Sequence, residues 1–173
     1  HTCWEQCDSL KLTRWCFAVR SPKRPWAEGK TACEESGGFL AAPEDNETMS
    51  AMSDYVKKMQ VFRPFVNLVQ QPNSTAVNVS WFWHLPSGAE IPVEAFGNWW
   101  NPTEPEDDDY VENDFQNHGG FFQNGNLREL RGTNSESALC MFELPVTTST
   151  STSSTSTMRT TSSTSSTSST SSS

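Results

Sequence analysis

The chain has 173 residues, a net charge of −9 at neutral pH and a pI of about 4.7. Such an acidic chain repels nucleic acids and anionic membranes, which excludes both as direct partners, whereas cations and neutral polar ligands remain compatible. No apolar run approaches the roughly 20 residues that a bilayer-spanning helix needs, so we expect no insertion into a membrane.

Composition divides the chain into two parts. Every Trp, Tyr, Phe and Cys lies before Thr147, and from there on all residues except Met158 and Arg159 are Ser or Thr. Such a tract has no apolar surface whose burial could offset the entropy lost on ordering. We therefore predict one folded domain over residues 1–146 and a disordered, O-glycosylated stalk over residues 147–173.

In chain order, the first predicted elements are a strand over residues 14–19 and a helix over residues 25–36. Proline in the first turn and a Gly-Gly pair after the last are typical helix start and stop signals. A second helix is capped by Asp45 or Asn46 and runs to Met59. Its apolar residues recur at helical spacing and are predicted to lie in the core: Met49, Met52, Tyr55 or Val56, and Met59.

Short β-type runs follow at residues 62–69, 77–84 and 138–142. Between them lies a stretch over residues 86–126 that is rich in Trp, Gly, Pro, Asn and Asp. A loop of that length inside a compact domain usually carries function. The pattern predicts an α+β fold in which two helices pack on small antiparallel sheets, with a long irregular upper loop.

The cysteines and sequons favour an extracellular location, either secreted or on the cell surface. The chain has five cysteines, at positions 3, 7, 16, 33 and 140, and their spacing lacks the two close pairs typical of a zinc site. Widely spaced cysteines indicate disulfides and an oxidising compartment. N-glycosylation sequons start at Asn46, Asn73 and Asn78.

Catalytic motifs do not occur in the sequence. Its histidines, His1, His84 and His118, do not form an H-E-x-x-H motif, and G-x-S-x-G does not occur. Paired carboxylates could serve a glycosidase, but the chain lacks a second lobe that would form a cleft. We expect a binding protein and no enzyme.

Six segments resemble, in order and spacing, the motifs of the C-type lectin-like domain family. They are WAEGKTAC at 26–33, GGFLA at 37–41, FVNL at 65–68, WFWHLPSG at 81–88, NW followed by EPE within 98–106, and ALCMFE at 138–143. The resemblance extends from about Cys7 to Glu143. It implies the C-type lectin-like fold, with glycan or glycoprotein ligands.

The resemblance also implies the disulfide pattern. Cys33 pairs with Cys140, and Cys7 pairs with Cys16 in the long form of the domain. Cys3 is then left over, either as a free thiol or as a link to a disulfide-bonded partner. Because Cys3 and Cys7 are only four positions apart, either could pair with Cys16. The family's second disulfide, within the upper loop, is missing, because Tyr110 stands at one of its positions and the other falls near Gly132. The upper loop must then be held by packing, by aromatic residues or by an ion.

Seven acidic residues lie between Glu104 and Asp114, and calcium is bound by several oxygen ligands. Carried over from the family, Glu104 and Glu106 fall in the E-P-N motif, with a cis proline between them. Asp108 supplies a further acid. The W-N-D motif falls on Leu127, Arg128 and Glu129. The implied calcium ligands are Glu104, Glu106, Asp108 and Glu129, and the implied carbohydrate-binding residues are Glu104, Glu106, Trp100 and Arg128.

Two departures leave this site open to three interpretations. Glu106 replaces a neutral amide, and Arg128 replaces an asparagine and brings a cation to a cation's site. The acids could form a calcium site that binds sugar, a purely structural calcium site, or a solvated face that pairs with Arg128 and Arg131. The rival function is calcium-independent recognition of a protein.

The aromatic residues divide into two predicted groups. Trp81, Trp83 and Trp99 match positions that the family buries, so we expect them in the core. Trp100 lies next to the acidic segment and could stack on the apolar face of a sugar. The pair at residues 121–122 is expected at the loop surface, where it would contact a protein partner.

Overall fold

The computed structural model describes residues 14–71, 80–105 and 117–144. These residues contain two helices and eight strands, with one short 3-10 helix at Val93–Phe96. None of the helices in these ranges is long and apolar enough to cross a membrane. The elements are β1 (Trp15–Arg24), α1 (Trp26–Glu35), β2 (Phe39–Leu40), α2 (Asn46–Met59), β3 (Phe65–Gln70), β4 (Trp81–His84), β5 (Glu90–Pro92), β6 (Asn117–Phe121), β7 (Leu127–Arg131) and β8 (Glu136–Glu143).

β8, the last strand, organises the lower half of the fold. It pairs antiparallel with β1 from Trp15↔Glu143 to Arg24↔Glu136, and with the two residues of β2. Its run of buried residues from Ala138 to Phe142 packs against both helix and sheet. The ends of the domain therefore meet in one sheet, as the strands predicted near the termini require.

A disulfide between Cys33 and Cys140 joins α1 to β8 across 107 positions of sequence, which confirms that pairing. Cys16 is also disulfide-bonded. Its predicted partner Cys7 lies outside the described residues, as does Cys3, so the identity of that pair and the role of Cys3 stay predictions.

Both helices occur where the sequence predicts them. Asp45 caps α2, because its Oδ1 accepts hydrogen bonds of 2.7 Å from both the backbone N–H and the hydroxyl of Thr48. The predicted stripe is buried at Met49, Met52, Tyr55 and Val56. Met59 is an exception, since it is 48% exposed. It occupies the last helical position, where Gln60 turns left-handed and the chain leaves the core.

The upper half is built on β3. This strand pairs antiparallel with β4 and β6, and β5 and β7 extend the sheet from those two strands. The predicted continuous loop over residues 86–126 is thus interrupted by β5, the 3-10 helix and β6. β7, with the sequence LRELR, was not predicted because its charges follow no two-residue alternation.

The core lies between α2 and the two halves of the sheet. Trp81 and Trp83 are fully buried there, as predicted, while Trp99 is only partly buried. A smaller cluster under α1 surrounds the Cys33–Cys140 disulfide. The predicted α+β architecture, with two helices packed on antiparallel sheets, is therefore confirmed.

Candidate functional site

The loop over residues 97–105 is held against β7 by its backbone. The N–H of Leu127 donates to the carbonyl of Trp99 at 2.7 Å, and the N–H of Asn101 donates to the carbonyl of Leu127 at 2.9 Å. Trp100 and Leu127 thereby form a parallel bridge. Residues 99–101 thus pair with β7 like a short parallel strand, and this pairing places the next residues of the loop, including Glu104, beside β7.

Glu104 is the acidic residue that this pairing places on β7. Its peptide bond to Pro105 is cis, as the resemblance implies, and its own N–H donates to the carbonyl of Asn101 at 2.8 Å. The carboxylate Oε2 accepts a hydrogen bond of 3.1 Å from the backbone N–H of Glu129, and the side chain is only 6% exposed. The carboxylate therefore bonds the loop to β7.

Arg128 brings a positive charge to the same place. Its Nη2 lies 3.9 Å from Glu104 Oε1, and its Nε donates to the Glu129 carbonyl at 3.2 Å. The guanidinium carbon stands 4.4 Å from the centre of the Phe122 ring, a cation–π contact. The Arg128 side chain keeps 21% of its surface exposed, so it reaches solvent beside the nearly buried carboxylate.

A rim of asparagine amides lies on the loop that carries Glu104 and on the turn that precedes Arg128. Asn124 Nδ2 donates to Asn101 Oδ1 at 3.4 Å, and Asn101 Nδ2 donates to the Thr103 hydroxyl at 3.0 Å. Asn98 Oδ1 accepts from the Trp100 N–H at 3.2 Å, Asn124 Oδ1 accepts from the Asn126 N–H at 3.0 Å, and Asn98 and Asn124 are exposed. We call residues 97–105, the 122–126 turn and Arg128 together the loop face.

The sequence predicted an Asn-rich loop over residues 86–126, but its candidate site was built from acidic and aromatic residues and gave the amides no role. The sequence does contain a signal for the rim, since asparagines occur at 98, 101, 124 and 126, and Asn124-Gly125-Asn126 is a typical turn sequence.

The aromatic residues predicted at this surface have different positions. Trp100 packs edge-on against the buried Trp81, with ring centres 5.1 Å apart. Phe121 is fully buried, so its predicted exposure is wrong, whereas Phe122 is half-buried under Arg128. In a strand, successive side chains point to opposite faces, which separates the two phenylalanines.

A calcium site requires about six to eight oxygen ligands around one point. Of the four predicted ligands, Glu104 and Glu129 are described, while Glu106 and Asp108 lie outside the described residues. Across residues 14–71, 80–105 and 117–144, no three His, Cys, Asp or Glu side chains are grouped to hold a metal. One Glu104 oxygen bonds an N–H and the other faces a guanidinium. The two described ligands, Glu104 and Glu129, fit an internal ion pair with Arg128 and do not by themselves fit a calcium ion.

Of the predicted glycosylation sites, Asn46 is exposed at the start of α2. Asn73 and Asn78 lie outside the described residues, as does the predicted stalk.

The fold, with its cis-proline loop lying along a β-hairpin, defines a C-type lectin-like domain. A family model described as the Lectin C-type domain matches residues 22–142. That match covers most of the chain, and the chain belongs to this family.

Individual relatives are distant. Collectin-10 of Xenopus tropicalis is 36% identical over 55 residues, which cover 32% of this chain and 20% of that protein. Among solved structures, TC14, a C-type lectin from the tunicate Polyandrocarpa misakiensis, aligns with a TM-score of 0.57 at 16% identity, covering 75% of this chain and 98% of that one. The carbohydrate-recognition domain of mouse scavenger receptor C-type lectin gives 0.58 at 16% identity, covering 77% and 93%. At such identities the structures establish the fold alone.

Proposed function

We propose that this domain recognises carbohydrate through the loop face, outside the cell and without catalysing a reaction. The observation that carries the proposal is the amide rim, in which Asn124 bonds to Asn101 and Asn101 bonds to Thr103 on the loop that carries Glu104. Primary amides both donate and accept hydrogen bonds, and so do sugar hydroxyls. A neutral, polyhydroxylated ligand therefore matches the rim better than an ionic one.

The family supports the same conclusion. A cow CD23 carbohydrate-recognition domain, whose structure was determined in the presence of a GlcNAc2Man3 oligosaccharide, aligns with a TM-score of 0.55 at 16% identity over 77% of this chain and 91% of that one. Of the predicted carbohydrate-binding residues that the structure describes, one can contact a ligand and two support the loop. Arg128 reaches solvent and can donate to a ligand, whereas Glu104 is nearly buried and positions the loop. Trp100, packed on Trp81, supports the loop from below.

The extracellular location rests on two features. Disulfide bonds persist in oxidising compartments, and the described residues contain the Cys33–Cys140 bond. Three sequons and the Ser/Thr tract fit a glycoprotein whose binding domain is carried on a stalk.

The test is a glycan array probed with the full chain, followed by affinity measurements on the glycans bound. Asn101→Ala and Asn124→Ala each remove one side of the rim and should weaken binding about 3–10-fold, the usual value of one hydrogen bond. Asn134→Ala is the matched control, because Asn134 lies in the turn between β7 and β8, away from the loop face. Binding that all three substitutions leave unchanged would contradict the assignment of this face.

Protein recognition is the second candidate, favoured by the Phe122–Arg128 contact. Arg and aromatic residues are enriched among the residues that dominate protein interfaces, and this pair sits at the edge of the loop face. An array on which the chain binds no glycan would favour this candidate. Phe122→Ala should then weaken binding to an identified protein partner at least about tenfold, whereas it should affect a sugar bound at the amide rim far less.

A further inference from the structure

We infer that Arg128 supplies from within the chain the positive charge that a calcium ion would bring to Glu104, so that the loop face keeps its shape without calcium. The inference deepens the proposed function, and its meaning for ligand binding rests on that function. Its test uses the unliganded chain, so the inference about Arg128 can fail while the proposed carbohydrate recognition holds, and the reverse.

The geometry fixes Arg128 on three sides. Nε is bonded to the Glu129 carbonyl at 3.2 Å, the guanidinium lies 4.4 Å from the Phe122 ring centre, and Nη2 is 3.9 Å from Glu104 Oε1. A planar guanidinium that stacks on an aromatic ring and donates at its edge loses little further freedom when it meets a carboxylate. The charge is therefore placed beside Glu104 by contacts that do not depend on an ion.

Calcium and this arginine compete for the same carboxylate. A calcium ion sits about 2.3–2.6 Å from its oxygen ligands. An ion bound to Glu104 Oε1 would therefore lie close to the guanidinium that already faces this oxygen at 3.9 Å. Two cations in a partly buried place repel each other strongly, because little water screens them.

The loop also has a reason to need such a contact. The family disulfide that would hold it is missing, since Tyr110 stands at one of its positions. Within the described residues, the loop over 97–105 is joined to β7 by backbone pairing and by the Glu104 carboxylate. Arg128 neutralises that carboxylate and so stabilises the joint.

The experiment is thermal unfolding of the full chain in millimolar calcium and in chelator. The melting temperature of the unmodified chain should be the same in both, because a ligand that binds the folded state must raise it. Arg128→Ala removes the positive charge from beside the nearly buried Glu104 carboxylate and should lower the melting temperature by about 5–10 °C. Arg14→Ala is the matched control: Arg14 also contacts carboxylates and an aromatic ring but is 56% exposed, so its loss should cost much less.

A rise of the unmodified chain's melting temperature in calcium would overturn the inference, and so would an Arg128→Ala chain as stable as the control. Arg128→Lys is the second variant, for the case that Arg128→Ala does not fold. It keeps the charge without the planar guanidinium, so its melting temperature should lie below that of the unmodified chain and above that of Arg128→Ala. Glu104→Gln tests whether the two side chains act on each other. In that background the carboxylate is neutral, so the further change Arg128→Lys should shift the melting temperature by less than about 2 °C. An unreduced effect in that background would also overturn it. A silent glycan array would leave these outcomes unaffected.

Discussion

Gly125 holds the tip of the β6–β7 hairpin against α2. Its φ is +81°, and its carbonyl accepts a hydrogen bond of 2.8 Å from the Ser53 hydroxyl. A Cβ at this position would collide with Ser53 Oγ and lie 3.0 Å from the Ser53 carbonyl. Gly125→Ala should therefore lower the free energy of unfolding by about 3 kcal/mol, measured by urea denaturation, because it adds a collision to left-handed strain.

Gly88 serves as the control that separates backbone strain from the collision with Ser53. Its φ is +86°, but a Cβ there would meet nothing within 4 Å. Gly88→Ala should cost about 1–2 kcal/mol, the strain alone. Equal losses for the two substitutions would mean that the contact with Ser53 does not hold the hairpin.

At the scale of the element, α2 depends on its cap. Asp45 Oδ1 accepts from both the N–H and the hydroxyl of Thr48. Asp45→Ala frees these donors and removes a negative charge from the helix start, so it should lower the free energy of unfolding by about 1–2 kcal/mol in urea denaturation.

Asp54 is the control within the same helix. Its 3.1 Å ion pair with Lys57 is on the surface, where both side chains are largely exposed. Asp54→Ala should change the free energy of unfolding by less than about 0.5 kcal/mol. A loss as large as that of Asp45→Ala would assign the effect to helix charge and not to the cap.

At the scale of the molecule, the Cys33–Cys140 bond closes the largest loop in the described fold, with 107 positions between its ends. The double substitution Cys33→Ala with Cys140→Ala should lower the free energy of unfolding by up to about 4–5 kcal/mol, because the unfolded chain regains the entropy of that loop. Calorimetry of the double variant under non-reducing conditions, which leave the Cys16 disulfide intact, measures it. A loss below about 1 kcal/mol would show that packing around α1 and β8 fixes the fold alone.

The sequence predicted the elements whose signals are local. The helical spacing of Met49, Met52 and Val56 predicted the buried face of α2, and Asp45 as a capping residue predicted where the helix begins. Such signals fail where a helix leaves the core, as Met59 shows. The Cys33–Cys140 pair and the cis bond before Pro105 came from the resemblance, since no local pattern specifies either.

The loop face was decided only by tertiary structure. Glu104 and Arg128 lie far apart in sequence, and their meeting depends on the backbone pairing of Trp99 and Asn101 with Leu127. The composition of the region showed many acids, which left both a calcium site and pairing with Arg128 and Arg131 open. It could not show that Arg128 would lie beside Glu104 in particular, because that position is set by how β7 packs beside the loop.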